Sequence, residues 1–357
     1  MTFVGFFPAD DPQVSAAAAA ALAAVGTAED VTLLAQLTAE GNDAVKPAAK
    51  EALARLNAEG VDEKIVAALE TTSGATLLTL VEAIGDRNMS GATATLLQMA
   101  ANDNRRARVA ALKALGQIAV PDELPALINV LVTADGDAER REAERAVAAV
   151  ARKIADPAQQ GDAVIAALPT ATTPEAKSSL MLVMGRLGAP EALPLLQAGL
   201  QAKDAEQQRA AILALSEWPT PEPINDLLIA AKSLKDETLR VLALRGYMAL
   251  AGLPSERLPG ETAALFKTAL ELAPNAAEKR RALSGLGKVY GPEAFDLAAQ
   301  YLDDSEVGAE AELAVIENAM RLYNKNDRTD ARKEIMRKIG ERTEDERIKR
   351  AVFQFLQ

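Results

Sequence analysis

Apolar side chains in this chain fall into short helical stripes, and the stripes come in pairs. Over residues 121–151, Leu124, Leu127, Ile128 and Leu131 repeat at i, i+3, i+4 and i+7, which is one buried face of a helix. Pro121 suits the first position of that helix, where an N–H has no partner anyway, and Asp122 and Glu123 suit its positive end. Asp135-Gly136-Asp137 then breaks the run and can cap a second helix, which closes on Val147 and Val150.

The same grammar recurs. Leu193, Leu196 and Leu200 follow Pro190 and Glu191, while Ile224, Leu227, Leu228 and Ala231 follow Pro221 and Glu222. Ala294, Leu297, Ala298 and Tyr301 follow Pro292 and Glu293, and Val61, Ile65, Ala68 and Leu69 form an earlier stripe. The second helices end on apolar pairs three apart: Leu22/Val25, Leu53/Leu56, Val81/Ile84, Leu112/Leu115, Val147/Val150, Met184/Leu187, Ile212/Leu215, Tyr247/Leu250 and Leu283/Leu286. Successive pairs lie 28–37 residues apart. A helix–turn–helix period of that size predicts an all-α fold, an α-solenoid of about ten repeats. The expected organisation is a single solenoid over 1–357. It has a lid at 1–10, repeats over 10–340, and a terminal helix at 343–357 whose partner is missing.

Composition agrees with helices and narrows the chemistry. Hydrophobic residues make up 49% of the chain and aromatics only 3%, so the apolar content is carried by alanine and leucine, both strong helix formers. The chain has neither cysteine nor histidine, which excludes disulfides, thiolate metal sites and Cys or His catalysis. No apolar run reaches the roughly 18 residues of a membrane span. The start, MTFVGFFPADDP, lacks a basic segment and its apolar part stops at Pro8, so it does not read as a signal peptide.

The net charge of −12 is uneven. Residues 1–100 carry 13 acidic and 5 basic side chains, a net of −8, whereas 101–300 carry 25 and 23, a net of −2. An acidic balance argues against nucleic acid, whose binding rests on neutralising phosphates.

The order PxxLPxLxxxL, then Asp or Asn, then Arg, then AxxALG resembles the HEAT repeat, including the short HEAT-like or PBS-lyase variety. Asn104, Arg108, Ala114, Leu115 and Gly116 carry the second-helix part, while Gln208 and Lys279 stand where that arginine would be. LRVLALRGYMALAGLPSE (239–256) and EKRRALSGLGKVYGPEAFDLAAQYLDD (278–304) are similar to the HEAT segment of large exported bacterial proteins. That resemblance implies a scaffold or linker with no catalytic residues. It also implies a periplasmic or exported setting if the chain is a segment of such a protein, and otherwise a cytoplasmic one.

The ends and the charged helices supply the candidate surfaces. Phe3, Phe6 and Phe7 read as a lid over the first helix pair, and Phe353, Phe355 and Leu356 as an uncovered apolar stripe. That stripe is either the seat of a further domain or a dimer surface at the C-terminal edge. Glu139, Glu142 and Glu144, among the arginines of one helix, read as a solvated, salt-bridged face. Trp218, Tyr247, Tyr290, Phe295 and Tyr301 read as packing residues.

Arg105, Arg106, Arg140, Arg141, Arg240, Arg245, Arg280 and Arg281 fall on successive second helices, which in HEAT-type solenoids line the concave face. Two readings stay open. Either they form a basic stripe that binds an acidic segment or an anionic polymer, or they pair with acids on neighbouring helices, as the near-neutral charge of 101–300 suggests.

The expected function is a non-catalytic protein–protein scaffold or spacer, without cofactor or metal. Its partner would be another protein or a flanking domain of a larger chain. The enzyme alternative comes from the resemblance. Of the activities known on HEAT-like folds, the iron hydroxylase needs histidine ligands that the chain lacks, and the DNA glycosylase needs a cationic, aromatic-rich face. The bilin-lyase type remains as the alternative.

Overall fold

The structure, a computed structural model, describes residues 11–322 and 327–357; the 1–10 lid therefore lies outside the described residues. Those residues form twenty-one α-helices and no strand, in two compact units, Met1–Val183 and Met184–Gln357.

In the first unit, α1 (Pro12–Val25) precedes α2 (Val31–Glu40), α3 (Val45–Arg55), α4 (Val61–Thr71) and α5 (Gly74–Asp86). There follow α6 (Thr93–Met99), α7 (Arg105–Ile118), α8 (Leu124–Thr133), α9 (Asp137–Ala151) and α10 (Asp162–Ala167). The next helix, α11 (Pro174–Leu187), runs across the boundary in the chain. The second unit holds α12 (Leu193–Leu200), α13 (Ala205–Ser216), α14 (Ile224–Ser233), α15 (Glu237–Ala251) and α16 (Pro259–Leu272). It ends with α17 (Ala276–Leu286), α18 (Pro292–Ala299), α19 (Gly308–Ala319), α20 (Asp330–Arg342) and α21 (Glu346–Leu356).

Apart from α10, which packs on α8, the even helices each make a hairpin with the odd one after them, as α2 does with α3, α8 with α9, α14 with α15 and α20 with α21. Within each unit the odd helices also pack on one another: α7 against α5 and α9, α13 against α15, and α19 against α17 and α21.

The terminal pairs are the core of the odd layer. From Leu53/Leu56 to Leu283/Leu286 both members are buried, except Leu187, which is half-buried. The first pair departs from the expectation: Leu22 is buried but Val25 is 60% exposed. Val25 is the last residue of α1, and among the described residues α1 has one principal neighbour, α3.

The prolines behave differently from the simple first-residue reading. Pro121 and Pro190 each open a single 3₁₀ turn, and the α-helix proper begins at Leu124 and Leu193. Four residues on stand Pro125 and Pro194, which have no N–H to close the first α-type bond. The turn tightens instead, so that Leu124 and Leu193 donate to the carbonyls of Pro121 and Pro190. Pro292, with Asp296 four residues later, is the first residue of α18, as expected.

A recurring clamp ties one hairpin to the next. Arg87 Nη1 donates to the carbonyls of Leu53 and Leu56 at 3.0 and 2.7 Å. Lys153 Nζ reaches the carbonyls of Gln117 and Ala119, and Arg321 Nη1 that of Gly287. Each cation sits where the previous odd helix ends, meeting carbonyls that have no intrahelical partner and the negative pole of the helix. Each stands 31–36 residues after its acceptor, one repeat later.

The C-terminal expectations are corrected. The terminal helix is not alone, because α21 packs on α20 and α19. Phe355 is buried and stacks on Phe295 with ring centroids 6.0 Å apart, leaving Phe353, 65% exposed, as the open part of the stripe. Trp218, Tyr247 and Phe295 are buried. Tyr290 is not: it lies exposed, with the Arg321 guanidinium 4.6 Å from its ring centre.

Candidate functional site

The fourth residue of several odd helices folds back over the loop before it. Arg108 in α7 donates to the carbonyls of Asn102 and Asp103, Arg140 in α9 to that of Ala134, and Arg240 in α15 to those of Leu234 and Lys235. In α13 the residue is Gln208, whose side-chain amide donates to the carbonyls of Leu200 and Ala202. An amide supplies two donors, enough for the same task, so loss of arginine at this position does not mean loss of the contact. Arg140 and Arg240, two of the eight arginines of the expected stripe, are taken up by this loop staple.

A second device uses a buried glutamate as the third residue of an odd helix. Glu139 in α9 is 4% exposed and accepts from Arg108 Nη2 at 2.6 Å. Its Oε2 accepts no hydrogen bond, and Arg105 Nε, 3.4 Å away, offers that atom charge alone. Burial works against the charged form of Glu139. The bond from its own backbone N–H and the Arg108 contact outweigh that penalty, and its pKa lies below the ordinary carboxylate value.

Glu278 in α17 is 2% exposed and accepts from Arg245 Nε at 3.0 and 3.1 Å and from Arg245 Nη2 at 2.5 Å. This pairing, more than burial opposes it, raises the pKa of Arg245. Glu144 is buried too, and accepts from Ser179 Oγ at 2.8 Å. Glu139 and Glu144 are thus not a solvated face: their side chains join neighbouring odd helices. A signal for the clasps was present, an arginine 31 or 33 residues before a glutamate in a helix's first turn.

The remaining arginines divide by unit. Arg105 is 62% exposed, and Arg106 and Arg141 are exposed with no polar partner among the described residues. All three lie in the first unit. In the second unit Arg245, Arg280 and Arg281 line one groove of about 490 Å³ between α15 and α17, together with Lys288. Arg280 donates to the carbonyl of Glu306, and Arg281 Nε stands 3.6 Å from Glu278. Arg245 is also a wall of a second groove of about 470 Å³, shared by α13 and α15, where Arg209 joins it. These grooves are the candidate site.

An aromatic ring forms part of the groove's surface. Phe266, from α16, is buried and sits under Gly285 of α17 so closely that a Cβ at Gly285 would overlap the ring. Met248 and the short Ala249, Ala277 and Ser284 complete the surface. The cations fall on second helices by sequence, whereas the packing of Phe266 from α16 against Gly285 is a tertiary contact with no sequence signal. Among the described residues there is no cluster of side chains that could hold a metal ion, and no helix long and apolar enough to cross a membrane.

Comparison with known proteins bears on the fold. The family described as HEAT repeats matches residues 63–148. No curated protein sequence matches the chain. Among solved structures, the karyopherin Kap121p bound to the SUMO protease Ulp1p superposes with a TM-score of 0.57 at 11% identity, over 99% of this chain and 44% of that one. Kap95p with RanGDP gives 0.56 at 12% identity, over 97% and 54%, and yeast importin-beta (Kap95p) gives 0.53 at 12%, over 95% and 52%. The chain spans about half the length of these structures. At such identities the likeness is one of fold: the chain folds as an all-α solenoid of helix pairs, with HEAT repeats matched over 63–148.

Proposed function

We propose that the chain is a non-catalytic protein-binding scaffold, and that its binding surface includes the grooves between α13, α15 and α17. One observation carries this reading. Arg245 of α15 and, some 35 residues on, Arg280, Arg281 and Lys288 converge on a single open groove whose surface includes the short side chains of Ala249, Ala277 and Ser284. Repeat folds of this kind expose large surfaces and bind along them. The solved structures above include a karyopherin bound to another protein, which agrees with such a use of the fold. The stretches 239–256 and 278–304 support a further reading, that the scaffold is a segment of a larger exported bacterial protein.

Photo-crosslinking in the source cells tests the proposal. A crosslinking residue is placed at Ser284 or Ala249 on the groove, and at exposed Leu195 on α12 as the comparison. The expected outcome is a protein adduct from the first two positions and none from the third. Adducts from Leu195 alone would move the site to the even helices. No adduct from any position would favour a spacer.

A further inference from the structure

Resting on that reading of the grooves, we infer that their ligand is an extended, carboxylate-bearing segment of a partner protein. The charge on the groove walls is the first argument. Arg209, Arg245, Arg280, Arg281 and Lys288 face Glu237 and Glu310, with Glu278 buried beneath them. Five cations against three acids leave a local surplus of two positive charges. The second unit as a whole carries 24 basic and 27 acidic side chains, a net of −3. The surplus is therefore local to the groove.

The donors are also open. Arg209 and Lys288 have no polar partner among the described residues, and Arg281 is beyond hydrogen-bonding reach of Glu278 at 3.6 Å. Guanidinium forks match carboxylates in shape as well as charge.

Spacing then selects an extended chain. Neighbouring helices pack roughly 8–10 Å apart, and an extended peptide in the polyproline-II form advances about 3.1 Å per residue and returns to the same face every third residue. Carboxylates about three residues apart thus meet successive grooves as the segment crosses from α13 to α17. Short side chains at Ala249, Ala277 and Ser284 let a backbone lie close to the helices. A nucleic acid fits less well. Phe266 is 2% exposed and offers no stacking platform.

Fluorescence anisotropy with the full chain tests the inference. The probe is a fluorescein-labelled peptide of about ten residues with glutamate at every third position, compared with its glutamine counterpart. The expected result is binding of the glutamate peptide about tenfold tighter than the glutamine one, weakened by added salt. Arg209→Gln/Arg281→Gln/Lys288→Gln should erase the difference, with an unchanged helical circular-dichroism signal. Arg106→Gln/Arg141→Gln in the first unit should leave it intact.

Equal binding of the two peptides, or binding of neither, would overturn the inference. So would single-stranded DNA binding at least as tightly as the glutamate peptide and losing affinity in the triple variant. Crosslinks at Ser284 and Ala249 would survive all of these results, so the scaffold reading and the carboxylate reading fail separately.

Discussion

The two glutamate clasps are built alike and lead to different surfaces. In the first unit, α7 and α9 pack along their lengths, and a Cβ on Gly116 would crowd the Ala146 backbone at 3.2 Å. Arg108 bridges that tight seam, holding its own loop with one arm and Glu139 with the other. In the second unit, α15 and α17 touch at few positions, and the Phe266 ring of α16 packs against Gly285 beside the groove they leave. Arg245 still reaches Glu278, yet its side chain stays 46% exposed and forms a wall of two grooves. A clasp across direct backbone contact is purely a joint. A clasp across a groove is also a surface.

The contact of Phe266 with Gly285 is the place to break this contrast. Phe266→Ala should destabilise the second unit by about 3–5 kcal/mol, read by denaturant unfolding through Trp218, the one tryptophan in the chain. Gly285→Ala alone should cost about 1–3 kcal/mol through overpacking. In the double variant the new methyl group has room, so the two costs should fall short of adding, the mark of a direct contact. Strict additivity would mean that the ring and Gly285 do not share that space.

The clasps themselves should differ in strength. Glu139→Ala should cost about 1–3 kcal/mol, because the Arg108 left behind is only 27% exposed. Glu278→Ala should cost less, since water can reach Arg245 and Arg281, which are 46% and 57% exposed. Hydrogen exchange in α9 and α17 would read each joint separately. Equal losses would show that exposure of the cation does not matter here.

Acid should separate the units further. Because the pKa of Glu139 is lowered on folding, its stabilising contribution is complete above the ordinary carboxylate value of about 4 and is lost as pH falls through the folded value. The α7–α9 seam should therefore lose exchange protection below that range, and Glu139→Gln should remove this part of the dependence. A seam equally protected at low pH in both forms would contradict the assignment.

The smallest effects concern the cations on the rim. Arg240→Ala should cost about 1 kcal/mol, as should Gln208→Ala, by opening their loops. Arg106→Gln and Arg141→Gln should change stability by no more than about 0.5 kcal/mol. Thermal unfolding would distinguish a staple from an exposed charge that has no partner.

The sequence by itself determined the helices, their pairing and the odd-layer core. Those follow from short-range facts: apolar spacing of three and four, Asx caps such as Asn104 and Asp236, and terminal pairs repeating every 28–37 residues. Even the 3₁₀ starts were latent in PxxLP, since Pro125 and Pro194 remove the first α-type donors. The tertiary structure alone decided which arginines are joints and which line a groove. Arg140 and Arg281 both fall on second helices, where the sequence left open a basic stripe or pairing with acids, yet one closes a loop and the other lines a groove. That difference depends on how near two backbones come. Separation between helices is set by the side chains that meet across it, and no pattern along one strand of sequence records it.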